Sequence, residues 1–258
     1  MTPAQKIRLF MTVTVVTMAA VFLAPPVAQS LSFHHFADDR PIWGIPNFGN
    51  VMSNLPFVLI GTYGIGMVAA APVSGAIRSI YLILFAGVLL TGLGSAYYHW
   101  HPDNDTLVWD RIPMTIVFMS FLCATLSELA SRPLGMRLLV PLVALGVGSV
   151  LWWHYTETMG HGDLRLYFWV QFYPMLAIGL LLWWYYTPAV KRILPILLWI
   201  VIWYVIAKVF EQLDFPIYRL LGISGHSLKH LAAAVSTWYF VVLFRVQYLN
   251  AAVAGSAV

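Results

Sequence analysis

Apolar positions along this chain fall into long unbroken runs rather than the two-residue alternation of half-buried strands. Each run of roughly 18 to 22 residues suits a helix crossing a hydrocarbon core of about 30 Å. The runs predict eight membrane spans, near residues 7–25, 49–71, 77–98, 113–130, 136–153, 165–186, 192–212 and 227–248. They do not fit the roughly ten-residue alternating segments of an outer-membrane barrel. The expected fold class is therefore an all-α integral membrane protein, a seven-helix transmembrane core with one extra amino-terminal transmembrane helix. Spans of about 20 residues use most of the 258 available, which leaves short connections and no room for a soluble domain between them.

The leading span carries Lys6 and Arg8 ahead of its apolar run and Ala24-Pro25-Pro26-Val27-Ala28 behind it, the layout of a secretory signal. Prolines at the would-be cleavage region favour an uncleaved anchor instead. The expected division is residues 1–30 as an amino-terminal anchor or signal-like segment and 31–258 as the seven-span domain.

Composition agrees: 60% of residues are hydrophobic and 9% charged, against about a quarter charged in soluble domains. Charge then adds orientation. Lys6, Arg8, Arg78, Arg132, Arg137, Lys191, Arg192 and Arg245 fall on one side of the predicted spans, which the positive-inside rule assigns to the cytoplasm together with the N-terminus. The other side holds Arg40, Arg111, Arg165 and Arg219 and every acidic residue except Glu128. The net charge of +4 is thus mostly a topology signal, and no basic aromatic patch offers itself to nucleic acid. Cys123, the single cysteine, lies inside an apolar span, so no internal disulfide forms and it reads as a small packing residue.

Ionisable groups at membrane depth are costly and point to function. Ser95 and His99 are four residues apart, as are His226 and His230, so each pair shares a helix face. A polar turn after His99 lets Asp110 return at the head of the next helix, and Ser224-Gly225 read as the start of the last one. All five groups are thereby expected at one side of the membrane, the extracytoplasmic one. Three neutral imidazoles with an open fourth position make the usual catalytic zinc arrangement, in which zinc lowers the pKa of bound water toward about 7 and polarises a carbonyl. Asp110 has two uses at such a centre, as the base that takes the water's proton or as a partner fixing a ligand's tautomer. Ser95 suits donation to a developing oxyanion. A lone membrane histidine is more often a packing residue, and a bis-histidine haem site competes, but haem has no need of Asp110 or Ser95.

These residues carry a resemblance. Gly94-Ser95-Ala96-Tyr97-Tyr98-His99, the step to Asp110 and Gly225-His226-Ser227-Leu228-Lys229-His230 are similar to the signature of the alkaline ceramidases. That signature is shared with a wider superfamily of seven-span hydrolases, including adiponectin-receptor-like proteins and lipid-remodelling factors of GPI-anchor synthesis. Asn50-Val51-Met52-Ser53-Asn54-Leu55 resembles the Asn-Thr-Val-Ser-Asn-Leu stretch of ceramidases and favours that branch. The resemblance implies that His99, His226 and His230 bind zinc, that Asp110 activates water and that Ser95 assists. It also implies hydrolysis of ceramide to a sphingoid base and a fatty acid. Eukaryotic members carry a calcium-binding segment with a glutamate where this chain has Asn47, and Asp38 with Asp39 do not rebuild a cage of oxygen ligands, so calcium dependence is not expected.

The expected function is a zinc amidohydrolase cleaving the N-acyl bond of ceramide or a related lipid. A hydrolase of another lipid amide or ester, and a receptor-like lipid-binding protein with little turnover, are the alternatives. Elsewhere, Lys208 and Glu211 are spaced for an intrahelical ion pair, and Lys229 is expected on a different helix face from the two histidines flanking it. His34, His35, His101, His154 and His161 read as solvated or interfacial loop residues. Trp152, Trp153 and Trp183 to Tyr186 read as interfacial belts. Ser53 and Asn54 serve either the site or contacts between helices, and Gly61, Gly64 and Gly66 suit close helix packing.

Overall fold

The computed structural model describes residues 1–250, and the last residues of the expected 31–258 domain lie outside the described ones. The chain runs through α1 (Pro3–Val21), a 3-10 turn at Leu31–His34, α2 (Phe48–Met52), α3 (Leu55–Ala70), α4 (Gly75–Trp100), α5 (Asn104–Leu129), α6 (Arg132–Thr158), α7 (Arg165–Trp184), α8 (Pro188–Gln212), α9 (Asp214–Leu221) and α10 (Gly225–Phe244). A π-helical turn, Arg245–Leu249, extends the last helix. Counting α2 with α3 as one span, eight helices among the described residues are long and apolar enough to cross a membrane. The fold is an all-α, multi-pass membrane architecture.

Local chemistry moves several boundaries. The span expected over 49–71 breaks at Ser53 and Asn54, and α3 restarts with Pro56 in its first turn, where a missing N–H costs nothing. The span expected from 113 begins at Asn104 instead. Asp103 caps it, its carboxylate accepting the Thr106 N–H at 2.6 Å while the Thr106 hydroxyl accepts the Asp103 N–H at 3.2 Å. Asp110 therefore sits inside α5 and not at its head. The short α9 was not expected. It ends at Gly222, whose φ of +69° is the left-handed value that favours glycine.

Helix α4 packs along α3 and α5, α10 along α8, and α5 also along α6 and α7. Gly61 and Gly64 permit this, since a Cβ at Gly61 would lie 2.4 Å from the Leu89 backbone nitrogen and one at Gly64 would strike the Phe85 ring; Gly66 faces open space. The leading helix docks on α7, where the Trp169 indole N–H donates to the Thr17 hydroxyl at 3.2 Å and Lys6 donates to the Trp184 carbonyl. At the end of the bundle remote from the histidines, Glu128 accepts from the hydroxyls of Tyr81 (3.0 Å) and Tyr248 (2.6 Å) and from the Gln247 amide. Cys123 is buried, as a packing residue should be.

Trp153 is not part of an interfacial belt. It is fully buried, donates its indole N–H to Glu157 at 3.0 Å and faces the Arg111 guanidinium, 4.3 Å from its ring. Burying Arg111 requires aromatic faces around it, and Trp153 supplies one. His154, expected in a loop, belongs to α6 and reaches Asp105 at 2.8 Å.

Candidate metal centre

Helix spacing assembles the site from two ends of the chain. The last turns of α4 present Ser95 and His99, and the first turns of α10 present His226 and His230. Gly94 sets the approach of α4 to α5, because a Cβ there would fall 2.0 Å from the Trp109 carbonyl oxygen. Without a side chain at 94, Ser95 comes to lie beside the Asp110 carboxyl group across the helix interface.

The start of α10 is fixed by buried polar groups. Ser224 accepts the His226 N–H at 3.1 Å as an N-cap, and the Ser224 hydroxyl donates to Asp214 at 2.6 Å. The same Asp214 oxygen accepts the His226 N–H at 3.0 Å, and its other oxygen accepts from the Ala37 N–H at 2.9 Å. One carboxylate thus ties the 31–47 loop, α9 and the first histidine of α10 together. From α2, Asn50 accepts from the Ser227 hydroxyl at 2.7 Å, and Asn47, in a left-handed conformation that asparagine tolerates, donates to the His99 carbonyl at 2.9 Å. In the same loop Arg40 grips Asp38 at 2.7 Å and holds its carboxyl below the ordinary carboxylate range.

His99, His226 and His230 are all buried, and their candidate ligand nitrogens lie within 4.8 Å of one another. The three rings meet at centroid separations of 4.8 to 4.9 Å. Nε2 of His99 faces Nε2 of His230 at 3.2 Å, and Nδ1 of His99 has no partner. Ser53 donates to the Asn50 carbonyl at 3.0 Å, so its oxygen accepts the Nδ1–H of His230 at 2.8 Å and leaves a lone pair at that ring's Nε2. The Lys229 ammonium only donates, so Nε2 of His226, 3.2 Å from it, also presents a lone pair. Nδ1 of His99, buried without a partner, carries a cost of about 1–3 kcal/mol, and the lone pairs of His226 and His230 lie close enough together for one metal cation to accept both. The donor set fits zinc, with three nitrogens, room for a fourth group and an outer partner on one ring.

The ring of Phe36, from the 31–47 loop, lies 4.6 Å from both His99 and His226 and covers the site from the loop side. On the opposite side is a cavity of about 300 Å³, walled mainly by apolar residues of α5, α7, α8 and α10, with Ser95, Asp110 and His230 on its wall. Helices α7 and α8 make no extended contact with each other. They are joined where Gln171 donates to the Tyr204 hydroxyl at 2.9 Å, and below this tie Met175, Leu198 and Val201 are exposed.

All five residues expected at the site are therefore brought to one place. Lys229 is not on a separate face as expected: three residues after His226 it shares that residue's side of α10, and its ammonium meets His226 and, at 2.8 Å, Glu211. The expected Lys208–Glu211 pair forms at 2.6 Å. Sequence reading gave no part in the site to Asp214 or Phe36, and it marked Asn50 only as the first residue of the Asn50 to Leu55 stretch. The signals of Asp214 and Phe36 were weak, an aspartate ten residues before the Ser224 cap and an aromatic residue in a loop. The family model described as Ceramidase matches residues 43–257. No curated protein and no solved structure matches the chain.

Proposed function

Because the chain belongs to the ceramidase family, hydrolases of an amide bond in a lipid substrate, we propose that it is a zinc-dependent intramembrane amidohydrolase cleaving the N-acyl bond of ceramide or a close sphingolipid. The observation that carries this reading is the convergence of three buried imidazoles, one of which, His230, stands on the wall of an apolar cavity that Asp110 and Ser95 also line. Zinc held by His99, His226 and His230 would supply Lewis acidity, polarising the amide carbonyl and lowering the pKa of water toward about 7.

The remaining steps belong to the protein's own side chains. The Asp110 carboxylate takes the proton of the attacking water and passes it to the amine, so that the sphingoid base departs neutral at the reacting nitrogen. The Ser95 hydroxyl donates to the acyl oxygen as charge builds there. Apolar walls receive the lipid chains and keep bulk water away from the nucleophile. Phe36 shields the opposite face of the rings.

Two further parts of the reading rest on sequence. The basic residues named above support a cytoplasmic N-terminus and a site on the extracytoplasmic side. A cysteine introduced at Asn104 should react with an impermeant maleimide on intact cells, and reaction only after lysis overturns this orientation. Residues 1–30 serve as an anchor for the domain that follows, consistent with the docking of α1 on α7. The activity itself is tested with purified protein, labelled ceramide and a chelator. Fatty-acid release that stops on chelation and returns with zinc supports the proposal. Release from esters alone points to a sibling hydrolase, and retention without release points to a lipid-binding protein.

A further inference from the structure

We propose that Lys229 forms an acyl-charge subsite: its ammonium meets the oxygen on which negative charge develops and then holds the fatty-acid carboxylate before release. This rests on the hydrolase reading of the same site. Lys229 lies between His226 and His230 in sequence and borders the same cavity as Ser95, Asp110 and His230. Its ammonium is 3.2 Å from Nε2 of His226 and 2.8 Å from one oxygen of Glu211. Only 18% of its side chain is exposed, so it does not reach out to the membrane surface.

Charge bookkeeping shows why this lysine is more than a partner for Glu211. The second oxygen of Glu211 already has Lys208 at 2.6 Å, so two cations share one carboxylate and the trio retains one positive charge. A surplus cation in a poorly solvated place calls for an anion. Asp110, on the same cavity wall, meets that need until it holds the water's proton. At that stage the reaction supplies a replacement. Water's oxygen bonds to the acyl carbon, the C–N bond breaks, and the first proton passes through Asp110 to the nitrogen, which leaves as neutral amine; the second proton then moves from the new carboxyl group to Asp110, so the acyl group is left as carboxylate beside a neutral Asp110. The uncharged amide has no matching charge, so the ammonium favours the later species over the substrate. Glu211, held by Lys208, aims the ammonium without cancelling it.

The test measures retention of two chain-matched probes, palmitate and hexadecanol, on the purified zinc-loaded protein. The unaltered protein should hold palmitate at least about tenfold more tightly than hexadecanol, and Lys229→Met should erase most of that margin while Lys229→Arg keeps it. Zinc content should be equal in all three. Equal retention of the two probes by the unaltered protein overturns the subsite whatever the variants do, and so does a Lys229→Met protein that keeps both its zinc and its palmitate preference. A Lys229→Met protein that loses zinc overturns it as well, since the lysine would then be serving the metal centre. Ceramide cleavage distinguishes the two proposals. Cleavage without a palmitate preference removes the subsite alone, and a Lys229-dependent preference without cleavage removes the amidase reading alone.

Discussion

At the scale of single residues, the proposed reaction separates groups that would hold the metal from groups that would react. Ser53 is a holding residue: its hydroxyl, committed as a donor to the Asn50 carbonyl, leaves only its lone pairs for His230 and so fixes which ring nitrogen is free. Ser53→Ala is expected to weaken zinc binding by about 10- to 100-fold, read by competition with a chromophoric chelator. An unchanged affinity would show that another group sets the tautomer. Asp110 is assigned to the reaction. Asp110→Asn keeps the shape and loses the basic oxygen, so turnover should fall by about 10²- to 10⁴-fold with zinc content and ceramide retention close to unaltered. A variant that loses zinc along with turnover would move Asp110 to the holding group. Both residues could be found in the sequence, Asp110 by its distance from His99 and Ser53 by its place in the Asn50 to Leu55 stretch. Asp214 could not, because its three partners, Ala37, Ser224 and His226, come together only after α9 has turned the chain back.

At the scale of helices, the proposed reacting pair, Ser95 and Asp110, depends on how closely α4 and α5 approach. The Cβ that Gly94 lacks would sit 2.0 Å from the Trp109 carbonyl oxygen, a backbone atom that cannot swing aside. Gly94→Ala must therefore part the helices where Ser95 faces Asp110. Overpacking of this kind costs about 1–3 kcal/mol, and the expected result is a lower thermal midpoint together with lost turnover. Full turnover in the alanine variant would show that the site tolerates a wider spacing. Helix number and order were legible because a membrane span announces itself by uninterrupted apolar length. The start of α5 was not, since Asn104, Asp105 and Thr106 are polar, and what makes them helical is the reciprocal Asp103–Thr106 cap rather than hydropathy. The same limit hid α9, whose eight residues are too few to register as a span. Lys229 was misplaced by the sequence reading for a different reason: it stands three residues after His226, a spacing that puts both on one helix face just as it does Lys208 and Glu211, and its ammonium accordingly meets that ring.

At the scale of the whole molecule, the arrangement of helices decides how ceramide, the proposed two-chained substrate, would reach the histidines. The loop face is closed by Phe36 against two of the rings, and the cavity, at about 300 Å³, is too small to enclose such a lipid entirely. Its chains must extend beyond the protein, and the bilayer is the only apolar medium available to them. The expected opening for this lies between α7 and α8, which make no extended contact with each other. Exposed Met175 and Leu198 border it, and the Gln171–Tyr204 hydrogen bond closes its upper end. A bulky ring at the border should obstruct passage without touching the centre. Met175→Trp and Leu198→Trp are accordingly expected to raise the KM for long-chain ceramide in vesicles severalfold, with zinc content unchanged and with little effect on a short-chain ceramide dispersed in detergent. The contrast between the two substrates carries the argument, because damage to the catalytic groups would slow both alike. Wild-type KM values for the long-chain substrate in both variants would place the entrance elsewhere, and Phe36→Ala would then be the variant to measure, as the loop face is the other boundary the rings possess.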